Sequence, residues 1–129
     1  MNAGATREQI VRRYLKAMEA GDLDATRACF DPGGIIVSPV YGEVPVGDFY
    51  QKLFADTVRT VVEIHTIYAS PVDPNRWAAH FAYRWEKTDG STIVTDLVDL
   101  FEFSGRSGLI ARLRIIFDPK PKPPVDAAS

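Results

Sequence analysis

Between Val61 and Phe117 the chain offers four long β-prone runs with little between them but turn signals. The runs are Val61–Ser70, Trp77–Lys87, Thr92–Phe103 and Leu109–Phe117. Apolar and polar residues alternate along them, the period of a strand with one buried face. The separators are PVDPN at 71–75, TDGS at 88–91 and SGRSG at 104–108, and Asp89-Gly90 suits a tight two-residue type I′ corner. Strands joined by such short turns pair antiparallel. A sheet built this way has an apolar face that another layer must cover.

The first half of the chain supplies that layer. In Arg7–Ala20, residues Ile10, Val11, Tyr14, Leu15 and Met18 recur at helical spacing, and Gly21 is a natural stop. Asp22 reads as the N-cap of a second, short helix through Leu23, Ala25, Ala28 and Phe30. Asp31-Pro32-Gly33-Gly34 breaks the chain, and Gly34–Ser38 is a short strand whose pairing Pro39 limits. Val40–Gly47 is a loop with room for a minor strand at Glu43–Val46. A third helix opens at Gly47-Asp48, with Asp48 as N-cap and Phe49, Leu53, Phe54 and Val58 as its apolar face. Residues 1–6 are expected to fray. Asp118 reads as a terminator, and residues 119–129, rich in proline, as a disordered tail after one domain over 1–118. The fold class expected is α+β: a cone-shaped, curved, antiparallel (mixed) sheet packed against three N-terminal helices and enclosing an apolar pocket.

Composition excludes several functions. With 129 residues there is one core and room for one small-molecule site. Fifteen basic against seventeen acidic residues give a net charge of −2, so no basic excess points to nucleic acid. One cysteine forbids an intramolecular disulfide and fits a cytoplasmic protein. No apolar run approaches the roughly 20 residues of a membrane span, and Met1–Glu8 does not read as a signal peptide. No metal-ligand spacing, phosphate loop or recognisable Ser-His-Asp set is present, so neither metal nor cofactor is expected.

One residue breaks the pattern. Asp99 shares a strand face with Leu97, Phe101 and Phe103, where a carboxylate is costly unless paired or protonated. Asp96, three residues away, falls on the opposite face. Tyr14 sits on the apolar stripe of the first helix and is either a core residue or a pocket donor.

Arg13-Tyr14 through Ala17, Ala20-Gly21-Asp22-Leu23-Asp24, Val37-Ser38-Pro39-Val40 with Gly42, Asp99-Leu100-Phe101-Glu102-Phe103 with Gly105, and Arg114 to Phe117 together resemble bacterial ketosteroid isomerases over about residues 7–118. The resemblance implies the nuclear transport factor 2-like fold, shared with SnoaL-like polyketide cyclases, limonene-epoxide hydrolases and scytalone dehydratase. It implies that Tyr14 and a protonated Asp99 donate hydrogen bonds to a developing oxyanion. The family's proton-shuttling Asp is replaced by Ser38, and a serine hydroxyl does not take a proton from carbon at neutral pH unless another base activates it. Ser38 and Tyr41 then edge the pocket, Ser38 being equally readable as a strand-end hydroxyl bound to nearby backbone.

His65 and His80 are the only histidines and the obvious substitute bases. A two-residue turn at Asp89-Gly90 would set His80 opposite Asp99. The resemblance instead points Phe81, Tyr83 and Trp85 inward and His80 outward, and one extra residue near that hairpin leaves room for a bulge. Phe30, Val40, Tyr41, Phe54, Phe81, Tyr83, Trp85, Leu97, Phe101, Leu113, Ile115 and Phe117 are the expected pocket lining, mixed with core. The candidate catalytic set is Tyr14, Asp99, Ser38 and His80. The function implied is a cofactor-free isomerase, cyclase or dehydratase acting on a hydrophobic small molecule. The alternatives are a binding module without turnover and a dimeric interaction domain. A homodimer through the sheet, with Val61, Glu63, His65, Arg112 and Arg114 at its interface, is compatible with each.

Overall fold

The computed structural model describes residues 6–117. Three helices, α1 (Arg7–Ala20), α2 (Leu23–Arg27) and α3 (Val46–Ala55), pack on six strands. These are β1 (Phe30–Ser38), β2 (Gly42–Pro45), β3 (Thr57–Ala69), β4 (Arg76–Lys87), β5 (Thr92–Phe103) and β6 (Ile110–Ile116). The sheet runs β2-β1-β6-β5-β4-β3, with every pair antiparallel except β1 with β6. It is a mixed, curved, unclosed sheet with helices on its inner face, as the order of elements predicts. Irregular pairing in β1, β3 and at the β5–β6 end adds local bend and twist.

α1 carries the expected apolar stripe, with Ile10, Val11, Tyr14, Leu15, Ala17 and Met18 buried. Thr6 is not frayed: it forms a capping box with Gln9, each side chain bonding the other's backbone N–H. Gly21 ends the helix at φ 68, in the left-handed region. Glu19 then accepts a hydrogen bond from the Val62 backbone at 2.8 Å, tying α1 to β3.

Several boundaries differ from expectation. The second helix stops at Arg27, and Phe30 already belongs to β1 because it pairs with Ile110. Asp31-Pro32-Gly33-Gly34 does not break the chain but forms an irregularity inside that strand, since pairing resumes at Ile35 with Arg112. α3 starts at Val46 after Pro45, so Asp48 lies in the first turn and is not the N-cap. Val58, expected on the helix, lies in β3 and is exposed. Asp118, the tail 119–129 and residues 1–5 lie outside the described residues.

The decisive departure is the β4–β5 turn. The Lys87 carbonyl accepts from the Gly90 N–H, Gly90 takes φ 90, and the Lys87 N–H bonds the Ser91 carbonyl. The loop is therefore three residues, Thr88-Asp89-Gly90, a turn closed by a left-handed glycine. It is not the two-residue corner that Asp89-Gly90 suggested. The extra residue shifts the register by one: His80 faces Val98, and Phe81 faces Leu97. Odd positions of both strands therefore point inward and even positions outward. Among the described residues no helix is long and apolar enough to cross a membrane.

Gly21 offers a test of the helix stop. Space is open around an added Cβ, so Gly21→Ala isolates the backbone cost of positive φ. Urea unfolding should find the variant less stable by about 1 kcal/mol. Equal stability would contradict the cap.

Candidate functional site

Asp99 projects inward from the middle of β5, between Leu97 and Phe101 on the same face. Its cross-strand neighbours are Ala79 on β4 and Ile115 on β6. Ala79 contributes only a methyl group, which leaves space beside the carboxyl. Asp99 is 2% exposed, and among the described residues its side chain makes no hydrogen bond to a protein group. Burial pushes its carboxyl up to about 8. At neutral pH it is therefore mostly protonated and holds an O–H with no acceptor among the described residues.

Tyr14 reaches the same region from α1, and Tyr50 reaches it from α3. Both are buried, and their hydroxyls hydrogen-bond each other. Phe30 and Phe101 meet the Tyr14 ring edge-on, each at 5.7 Å between centroids, and fix its orientation. Burial raises both phenols well above their ordinary value; Tyr50 and then Asp99 add to this at Tyr14, and Asp99 adds to it at Tyr50. Tyr83, on β4, is raised by burial and then by Asp99. A shared hydroxyl pair has one spare proton. If Tyr50 donates to Tyr14, Tyr14 is free to donate onward. An oxygen gaining negative charge nearby selects that arrangement.

A cavity of about 600 Å³ opens between α1, α3 and the sheet, a size that fits a small organic ligand. Tyr14, Tyr50 and Asp99 lie on its wall. So do Ser38, Val40, Tyr41, Phe81, Tyr83, Trp85, Leu97, Ile115 and Phe117 from the expected set. Phe30, Phe54, Phe101 and Leu113 are not on this wall. Phe30, Phe101 and Leu113 are fully buried core, and Phe54 packs behind Tyr50 at 5.5 Å between ring centroids. The wall is more than one side chain thick, so inward-facing aromatics divide between lining and support.

Ser38 ends β1 at the cavity, and its Oγ accepts from the backbone N–H groups of Val40 and Tyr41 at 3.1 and 3.2 Å. Both lone pairs are thereby engaged, which leaves a hydroxyl able to donate and unsuited to act as a base. His80 is not at the cavity. The three-residue turn puts it on the outer face, where its Nε2 lies 3.4 Å from Asp96 Oδ2, and His65 Nε2 lies 3.6 Å from Asp96 Oδ1. It cannot serve Asp99 or Tyr14 as a base.

Sequence reasoning missed Tyr50, the closest protein partner of Tyr14. Val46 and Tyr50 are one helical turn apart and are the two buried residues of α3. Starting that helix at Asp48 and extending it to Val58 rotated the apparent apolar face toward Phe49. Ile93 and Thr95 also line the cavity, and the alternation that ends at Asp99 could have revealed them. More exposed parts of the wall carry Asp48, Lys52, Asp56 and Lys87. Asp56 accepts from Thr88 at 2.8 Å and faces Lys87 at 3.5 Å, while Lys52 and Lys87 lie over the Tyr41 and Trp85 rings. Another concavity, of about 640 Å³, lies by the irregular part of β1 and contains none of Tyr14, Tyr50 and Asp99.

The raised Asp99 value has a consequence for stability. An unfolded aspartate titrates near 3.9, so folding takes up a proton between about pH 4 and pH 8. This group's contribution is fully present below about pH 4 and is lost as pH rises toward 8, by up to about 1.4 kcal/mol per unit. Asp99→Asn removes the dependence. Urea unfolding at pH 5 through 8 should therefore find the variant gaining on wild type as pH rises, and parallel curves would contradict a neutral Asp99.

Comparison with known proteins places this geometry. The family model for the SnoaL-like domain matches residues 11–113. A protein from Pseudomonas putida KT2440, named for the polyketide cyclases, superposes with a TM-score of 0.77 at 21% identity, covering 90% of this chain and 94% of its own. The epoxide hydrolase/cyclase-like enzyme SalBIII, which has a role in pyran ring formation in the polyether salinomycin, gives 0.74 at 20% identity, covering 88% and 91%. A protein with a ketosteroid isomerase-like fold from Catenulispora acidiphila, solved with trimethylamine, gives 0.74 at 14% identity, covering 89% and 88%. At these identities the likeness is one of fold, the nuclear transport factor 2-like fold that the resemblance to ketosteroid isomerases implies. The match across the helices and all but the end of the sheet is what decides the family: this chain belongs to the SnoaL-like domain family.

Proposed function

We propose that the protein is a cofactor-free enzyme of the cyclase type, acting on an apolar, oxygen-bearing small molecule held in the cavity. The observation that carries the reading is the Asp99 carboxyl, neutral, buried and without a hydrogen bond among the described residues, on the same wall as Tyr14. Two neutral donors in an apolar recess stabilise charge as it develops on an oxygen: an enolate, a phenolate or the alkoxide of an opening epoxide.

The surroundings narrow the reaction. Steroid-type isomerisation needs a base beside the donors to carry a proton between carbons. Ser38 has its lone pairs engaged, and His80 is on the other face. The remaining carboxylates on the wall are less buried, and Asp56 is already held by Thr88 and Lys87. Donors without an adjacent base suit reactions in which the substrate supplies its own nucleophile, such as ring closure onto a polarised carbonyl or epoxide. In such a step Tyr14 and Asp99 polarise the accepting oxygen, which takes a proton from Asp99 while the proton shed by the nucleophile restores that acid. Tyr50 supports Tyr14, and Phe81, Tyr83, Trp85 and Leu97 exclude water and hold the substrate's carbon frame.

The same absence of an adjacent base favours a second reading, a binding module that holds an apolar ligand through the two donors without turnover. Both readings require the donors to share one ligand, and product formation separates them.

Phenol binding tests the shared requirement. Wild type should bind a substituted phenol in the cavity, followed by its absorbance. Tyr14→Phe and Asp99→Asn should each weaken binding by about 1–3 kcal/mol, the cost of a buried hydrogen bond to a group left without its partner. No binding by wild type, or equal binding by both variants, would refute the donor pair.

A further inference from the structure

The outer face of the sheet carries a second cluster of chemical groups, independent of the cavity. His65 on β3, His80 on β4 and Asp96 on β5 bring their ligand atoms within 4.8 Å of one another. The two imidazole Nε2 atoms approach different oxygens of the one carboxylate, at 3.4 and 3.6 Å. The rings lie 4.8 Å apart between centroids.

Two features of the sheet build this cluster. The first is a bulge in β3. Ile64 pairs with Phe81 and Thr66 with His80, so His65 is the extra residue, and it is turned to the outer face beside His80. The second is Ala82, which lies directly opposite Asp96 on β5 and Glu63 on β3. Its methyl group leaves the surface low enough for Asp96 to reach across β4 toward His65. Glu63 adds a second negative charge on this face. Arg84, further along the same face of β4, is engaged by Glu86 at 3.3 Å.

We propose that His65, His80 and Asp96 form a binding site for a divalent ion of the zinc class, with water in the fourth position. Two imidazoles and a carboxylate are a ligand set that zinc accepts. A tetrahedral ion with bonds of about 2.1 Å holds its ligand atoms about 3.4 Å apart, whereas an octahedral ion of that size holds them at about 3.0 Å. The two nitrogen–oxygen separations are close to the tetrahedral edge but fall on the two different carboxylate oxygens, so Asp96 must turn for one oxygen to serve both imidazoles. The side chains are partly exposed, so their rotation can close the remaining edge. A bound ion would pin β3, the outermost strand, to β5 across β4. The residues are far apart in sequence, and only the bulge and the three-residue turn bring them together.

Zinc titration of tag-free protein tests the site. His65 and His80 are the only histidines, so their imidazole NMR signals report directly. Wild type should bind one zinc ion per chain at micromolar concentration, as read by competition with a chromophoric chelator, with both imidazoles shifting and the melting temperature rising. His80→Ala and Asp96→Asn should each weaken zinc binding by at least the roughly 10–100-fold that loss of an outer-shell partner costs. Phenol binding in the cavity should be unchanged in both. Absence of stoichiometric binding by wild type, binding without imidazole shifts, or unchanged affinity in His65→Ala/His80→Ala would overturn the proposal. The wild-type NMR result decides the question even if a variant fails to fold.

Discussion

The register between β4 and β5 is the constraint from which the chemistry follows. A three-residue turn with Gly90 in the left-handed region makes odd positions face odd positions. Phe81, Tyr83, Trp85, Leu97 and Asp99 thereby share the inner face, and His80 and Asp96 share the outer one. A two-residue turn would exchange one strand's faces relative to the other. Asp99 would then have an imidazole beside it, and the helices would rest on a different set of side chains. One glycine backbone angle thus separates an inner wall of neutral acids from an outer cluster of imidazoles and a carboxylate.

Given that register, Asp99 is a desolvated carboxyl beside phenols that are themselves desolvated. Among the described residues none of these groups pairs with a cation, since Lys52 and Lys87 are engaged on the more exposed part of the wall, so the neutral forms prevail. A buried acid with no protein partner costs stability. The same property leaves its proton available to a ligand. The Tyr14–Tyr50 pair complements it, because the two hydroxyls satisfy each other until an oxygen in the cavity draws the spare proton outward. The lysines and carboxylates nearby occupy the more exposed wall, where water screens them.

Much of this was legible in the sequence. The α1 stripe, the Gly21 stop, the β4 and β5 runs and the anomaly of Asp99 all follow from local periodicity and from polarity in an apolar setting, which neighbouring residues specify. What was lost depends on long-range pairing. Phe30 was read as helix because its strand partner, Ile110, is eighty residues away. The face of α3 does not follow from Asp48, because its cap-like chemistry does not compete with a start at Pro45-Val46, and Tyr50 is hidden with that face. Phe101 and Leu113 were expected on the wall because alternation tells inside from outside but not lining from support. Alternation and the resemblance already point His65, His80 and Asp96 to the outer face, but their close approach depends on a bulge and a turn that linear spacing does not specify.

The chemistry of the inner wall rests on Asp99 being a neutral, available acid at physiological pH. The most direct measurement is the pH titration of its side-chain carboxyl carbon by NMR, with Asp99→Asn used to assign the signal. The expected result is a protonated carboxyl at pH 6 that titrates at about 8. A signal already ionised at pH 6, with a midpoint near the ordinary value of about 4, would contradict it. The inner wall would then hold a carboxylate, and no pair of neutral donors.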